Sequence, residues 1–211
     1  MLETKKIKYF IDTEFVDDGR TIDLISIGIV CQDGREYYAI STEFDPNRAS
    51  HWVRDNVLAK LPPRHVNPVY DSPRIIEESR AWKPRSQIRQ EILEFITEPP
   101  ELWGYYSAYD FVAFSQLMSS SESENTRNPF LNILIFLGFL QPKKYNPMVE
   151  NYPSGYPYYC CDIKQWCDYL GNPRLPEQGK GEHNALLDAF WNKQAWEFLR
   201  IFEANCVVER G

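Results

Sequence analysis

Two carboxylates one residue apart, Asp12 and Glu14, interrupt an aromatic and β-branched stretch, YFIDTEF (residues 9–15). A strand alternates its faces, so these two side chains share one. Side by side they repel, and burial strips the hydration that would ease the repulsion. Such a pair calls for positive charge. Other candidates lie further along: Asp110 in SAYDFVAF (107–114), His183 and Asp188 in HNALLDA (183–189), and Asp162 in YYCCDIK (158–164). Several carboxylates converging on one point are hard oxygen donors suited to Mg²⁺ or Mn²⁺. Two such ions about 3.5–4 Å apart can activate a water and stabilise the leaving oxygen of an in-line phosphoryl displacement. A histidine nearby, with an unperturbed pKa of about 6.5, can take the proton from that water.

Read singly, each residue has a plainer role. Asp12 is then a strand-end carboxylate and Asp110 a helix N-cap. Asp188 is a helix-surface charge, although Leu186, Leu187, Ala189 and Phe190 give it apolar company. His183 follows PEQGKGE (176–182) and either caps a helix or sits in a mobile loop. Mobility there would suit a base that orders only with substrate. Asp162 reads as structural, Asp17 and Asp18 as turn residues, and Gly28 as a strand-packing position.

The elements that must position these groups can be read from pattern. Residues 6–15 alternate as a strand, and TIDLISIGIVC (21–31) is nearly continuous in apolar residues, as in a central strand. Asp33-Gly34 signals a hairpin, and YYAISTEF (37–44) is a third strand, giving an antiparallel meander. Asp45 as N-cap with Pro46 at the first helical position predicts a helix through about Leu58. Pro62 and Pro63 end it, and a loop runs to about Arg85. SQIRQEILEFI (86–96) has helical spacing. ELWGYYSAYD (101–110) reads as a fourth strand running into a turn, with a helix from Tyr109 or Asp110. FLNILIFLGFL (130–140) reads as a core helix, 119–128 as a polar loop, and 141–157 as irregular. Residues 158–164 read as a fifth strand, QWCDYLG as a short helix ending at Gly171, and about 184–203 as the last helix. Asp12 and Glu14 near the end of strand one would meet Asp110 after strand four if those strands are neighbours, because α/β sheets build sites outside the carboxyl ends of their strands.

Composition bounds the class. The chain has 211 residues, 43% of them hydrophobic, which fits a single domain over 1–211 with one core. No apolar run approaches the roughly 20 residues that span a bilayer, and the first ten residues carry no signal-type apolar stretch. The five cysteines are odd in number and lack a zinc-like spacing. They read as free thiols in a cytoplasmic protein. The net charge of −7 argues against whole-surface binding to nucleic acid. Locally, however, Lys60, Arg64, Arg74, Arg80, Lys83, Arg85 and Arg89 outnumber Asp71, Glu77 and Glu78. That arm could contact phosphates or be a solvated loop and helix face.

The motifs together resemble the DEDDh branch of 3′–5′ exonucleases. They are FIDTEF with Asp12 and Glu14, SAYDFVAF with Asp110, and HNALLDA with a histidine five residues before Asp188. TIDLISIGIV and EYYAISTEFD are particularly similar to small stand-alone bacterial and phage 3′–5′ exoribonucleases. The resemblance covers nearly the whole chain. It implies an α/β, ribonuclease H-like mixed sheet of five strands, three antiparallel and then parallel, flanked by helices. It implies that Asp12, Glu14, Asp110 and Asp188 hold two divalent ions, Mg²⁺ or Mn²⁺, with Glu14 also near the scissile phosphate and attacking water. His183 would be the general base. The chain departs from the pattern at Ser107, where an Asn often precedes the motif aspartate, and at Phe15, where many relatives have Thr. The implied partner is the 3′ end of RNA, with DNA as the alternative, and a homodimer is plausible. A non-catalytic nucleic-acid-binding module on the same fold is the rival from another class. Independently of the resemblance, the tyrosines and tryptophans read mostly as core or surface packing, with one or two that could stack on a terminal base.

Overall fold

The structure, a computed structural model, describes residues 6–19, 21–119, 152–179 and 181–208. The core helix expected over 130–140 lies outside these residues, as do the polar loop from residue 120 and the stretch 141–151. Strands β1 (Ile7–Asp17), β2 (Ile22–Cys31) and β3 (Glu36–Ser41) form the expected antiparallel meander. Then come α1 (His51–Asn56), α2 (Pro73–Ser79), β4 (Trp82–Lys83), α3 (Arg85–Phe95), β5 (Pro100–Gly104) and α4 (Ala108–Ser119). The C-terminal part holds β6 (Cys161–Asp162), α5 (Ile163–Tyr169) and α6 (Ala185–Val208). The sheet order is β4-β3-β2-β1-β5-β6, with β1–β5, β3–β4 and β5–β6 parallel. This is the ribonuclease H-like arrangement, with six strands where five were expected.

Period-two alternation sorts the two faces of the sheet. Tyr9, Ile11, Ile27 and Ile29 pack with Ile88 and Ile92 of α3 and Phe111, Phe114 and Leu117 of α4. Phe10 and Val30 point the other way, onto Ile163 and Cys167 of α5 and Ala189, Ala195 and Leu199 of α6. A smaller cluster joins Val16 and Ile25 to Ala49 and Val57 beneath the α1 segment. Among the described residues no helix is long and apolar enough to cross a membrane, and all five cysteines are free.

Three local expectations need correction. The helix expected from Asp45 to about Leu58 is broken. Asp45 does accept from the Asn47 N–H, but only a 3₁₀ turn, Pro46–Arg48, follows. Ala49 is extended, and the Ser50 hydroxyl accepts from Val53 N–H to start α1 afresh. A second 3₁₀ turn, Leu58–Lys60, ends the segment. The loop expected up to Arg85 contains α2 and β4. Ser72 caps α2 with Pro73 in its first turn, the same kind of signal as Asp45-Pro46. The fifth expected strand, 158–164, is reduced to the two residues of β6, because Asp162 turns at once to cap α5 by accepting from Gln165 N–H.

One contact fixes the last helix on the sheet. Residue 28 of β2 lies directly under the start of α6. A Cβ there would come within 3.0 Å of the Ala185 carbonyl and the Leu186 nitrogen. Both partners are backbone, so neither can swing aside. Next to it, Asn192 Nδ2 donates to the Ile11 carbonyl at 2.9 Å, tying α6 to β1. Gly28→Ala is expected to destabilise the fold by about 1–3 kcal/mol or more, the range for overpacking a tight site. Thermal unfolding followed by circular dichroism checks this; an unchanged melting temperature would contradict the packing described.

Candidate active site

The carboxyl half of β1 is where the site forms. β1 pairs with β5 only from Ile7 to Phe10, opposite Pro100 to Trp103. Beyond Phe10 the two strands part, and β1 keeps β2 alone, with Asp12 opposite Gly28 and Glu14 opposite Ser26. A register shift between Glu14 and Phe15 ends the regular ladder there. Asp12 and Glu14 thus face α6 at the opening.

α6 brings Asp188 in its first turn. Asp12, Glu14 and Asp188 each offer a carboxylate oxygen, all within 4.8 Å of one another. Asp188 is 8% exposed. Its Oδ1 accepts from Gln178 Nε2 at 2.6 Å and its Oδ2 from the His183 N–H at 2.9 Å. Asp110, 6% exposed, reaches the same region from α4 on the other face of the sheet. Its Oδ1 accepts from both Thr13 N–H (2.8 Å) and Thr13 Oγ1 (2.7 Å). It stands close enough to the three-carboxylate cluster to raise both Asp12 and Glu14. His183 has φ 66°, the left-handed region, which costs a non-glycine residue on the order of 1–3 kcal/mol unless its surroundings hold it. Its ring meets Trp52 edge to face, centroids 4.7 Å apart.

Electrostatics follow from the crowding. Burial above all, then Asp110, Asp188 and Glu14, push Asp12 far above the usual carboxylate range. Glu14 is pushed up to about 8 by burial, then by Asp188 and Asp110, with Lys60 opposing. Burial raises Asp110 to about 6, against the two Thr13 hydrogen bonds. Asp188 is raised by burial and eased by Gln178 and the His183 N–H. Among the described residues no ion pair reaches any of the four. An all-oxygen set of buried and half-buried like charges, which no ion pair neutralises among the described residues and which Lys60 only eases at Glu14, fits hard divalent cations.

Other expected residues fall as follows. Asp162 is structural: besides capping α5, its Oδ2 accepts from Ser107 N–H at 2.8 Å, so Ser107 anchors the β5–α4 turn. The basic arm is mostly spent on its own neighbours. Arg74 pairs with Glu78, Arg80 with Glu77, Lys83 with Glu91 and Arg85 with Asp23. Arg89 donates to the Met118 carbonyl and Arg64 lies over Trp82. Of this group Lys60 reaches the His183 loop, its Nζ donating to the Glu182 carbonyl at 2.9 Å. Sequence reasoning missed Thr13 and Gln178, and although it counted Lys60 in the basic arm and Trp52 among the aromatics, it did not foresee that either meets the His183 loop. Thr13 was findable, since it lies between the two motif carboxylates and points to the opposite face; the others carry no local signal.

The fold and the carboxylate cluster define a ribonuclease H-like protein with a candidate cation site at the end of its first strand. No protein-family profile matches the chain. Two relatives from Mycobacterium tuberculosis, strains CDC 1551 / Oshkosh and ATCC 25618 / H37Rv, are each named 3′–5′ exoribonuclease. Each is 39% identical over 187 residues, covering 87% of this chain and 87% of its own. The chain belongs to this 3′–5′ exoribonuclease family.

A carboxyl that is harder to ionise folded than unfolded takes up protons on folding. Its stabilising share is full below its ordinary value and lost as pH rises through the folded one. In EDTA, melting temperature is therefore expected to fall as pH rises from about 4.5, the ordinary value of Glu14, through about 8. The loss is on the order of a few kcal/mol. Glu14→Gln is expected to flatten that slope and to melt above wild type at pH 8, and added Mg²⁺ or Mn²⁺ should raise the wild-type melting temperature more at pH 8 than at pH 5. Differential scanning fluorimetry across pH reads all three.

Proposed function

We propose that this exoribonuclease is metal-dependent, and that it removes nucleoside 5′-monophosphates from the 3′ end of RNA with His183 as general base. The observation that carries the reading is the convergence of Asp12, Glu14 and Asp188 within 4.8 Å at the end of β1, with Asp110 alongside. RNA is the polymer in the names of the relatives, and the four acidic motif positions are all filled, which argues against a binding module that has lost catalysis.

Asp12, Glu14, Asp110 and Asp188 would hold two divalent ions, Mg²⁺ or Mn²⁺. When bound, such ions make water a better nucleophile at neutral pH and stabilise charge on the phosphoryl group and its leaving oxygen. Glu14 reaches furthest along β1 of the two strand carboxylates and would orient the attacking water. His183 would accept the proton of that water as it attacks phosphorus. The bond to the 3′ oxygen then breaks, leaving a shortened strand and a 5′-monophosphate. Asp188 has two duties, since the carboxylate facing the cations also accepts the main-chain N–H of the base. Ligand and base are thereby held in one frame, which counts because a misplacement of about 1 Å can cost about 100-fold in rate.

The test is a time course on 5′-labelled single-stranded RNA and matched DNA with Mg²⁺, Mn²⁺ or EDTA. A ladder shortening from the 3′ end, absent in EDTA, is expected. Asp12→Ala should abolish it while the circular dichroism spectrum is retained. His183→Ala should slow it roughly 10²–10⁴-fold, the usual weight of a general base. Full turnover in EDTA would overturn the cation reading, and DNA cleaved faster than RNA would overturn the choice of polymer.

A further inference from the structure

The segment between β3 and α2 contains none of the motif residues, yet two of its side chains grip the loop that presents His183. Trp52, in the first turn of α1, sets its indole against the imidazole, with centroids 4.7 Å apart and planes at 79°. Further along the same segment, Lys60 Nζ donates to the carbonyl of Glu182, the residue before His183, at 2.9 Å. On the far side, Asp188 accepts the His183 N–H. The loop needs such holds. His183 is in the left-handed region, and Gly181, two residues before it, has φ 140°. An open groove of about 450 Å³, lined by Asn56, Lys60, Gln178 and His183 among others, runs along that side of the loop. Trp52 is 53% exposed, so its indole is not placed there to fill a core.

We propose that Trp52 and Lys60 are positioning residues for the general base: Trp52 fixes the plane of the His183 ring, and Lys60 fixes the main chain beside it. An edge-to-face contact restricts ring orientation more than it adds buried area. Without it the imidazole keeps its anchor at Asp188 but samples directions that miss the attacking water. The ground-state hold on substrate, which falls to the carboxylate cluster, is untouched. The loss therefore belongs in kcat and not in KM. This inference rests on reading His183 as the base.

The experiment measures kcat and KM on single-stranded RNA for Trp52→Ala, Trp52→Phe, Lys60→Met, Lys60→Arg, His183→Ala and the double variant Trp52→Ala/His183→Ala, with melting temperatures beside them. Trp52→Ala is expected to lower kcat about tenfold or more with KM nearly unchanged. Trp52→Phe should recover most of the loss, and Lys60→Arg should outperform Lys60→Met. The deciding comparison is the double variant. If Trp52 acts through His183, removing it costs nothing further once the imidazole is gone. An additive loss in that background, or a Trp52→Ala variant with raised KM and intact kcat, overturns the proposal. A His183→Ala variant with wild-type turnover would instead overturn the base reading on which it stands.

Discussion

The carbonyl of Ala185 occupies the space that any side chain at residue 28 would need. With hydrogen alone on that side of β2, the first turn of α6 settles onto the sheet beside Asp12, which pairs across the strands with Gly28. Asp188 and His183 travel with that turn. The site thus depends on a backbone-to-backbone approach that no residue but glycine permits, and the Asn192 hydrogen bond to Ile11 holds the helix in register once it is there. Raising α6 by the thickness of a methyl group would separate the helix carboxylate from the strand carboxylates.

That approach forces like charges together. Asp12, Glu14, Asp110 and Asp188 each ionise less readily than they would in water, with burial the leading cause in every case. The fold tolerates this because the two strands beneath are unusually well seated: Tyr9, Phe10, Ile11, Ile27, Ile29 and Val30 are all fully or almost fully buried. A rigid apolar bed carries an electrostatically strained rim, the arrangement expected where catalytic groups are held against their own repulsion.

What the sequence revealed follows the range of each signal. Asp12 and Glu14 were legible because alternation is a local rule, and the helix carrying Asp188 because its apolar spacing persists over many residues. The meander followed from the same patterns, whereas the adjacency of β1 and β5, on which the meeting with Asp110 depended, was only a condition in the sequence and is supplied by the structure. Trp52 and Lys60 were hidden because their partners lie more than a hundred residues away, as with Lys60 and Glu182, and nothing in either neighbourhood announces the pairing. β4 was hidden because two residues are too few to show alternation. The Asp45 helix misled because a good first turn does not guarantee a second: Ser50 offers a competing cap a few residues on. Asp162, read as structural from the sequence, has its two oxygens engaged by Gln165 and Ser107.

The brevity of β4 and β6 has a consequence of its own. These are the outermost strands of the sheet, and each is two residues long, whereas the long strands β1 and β2 lie inside. An unpaired edge is a template for a foreign strand, and a short one offers few rungs. On β4 or β6 themselves another polypeptide finds only two residues to pair with. β4 pairs with β3 only at Ile40 and Ser41, and β6 with β5 only at Trp103 and Gly104, so among the described residues a further strand would have to seat on the short runs these leave, 36–39 and 100–102.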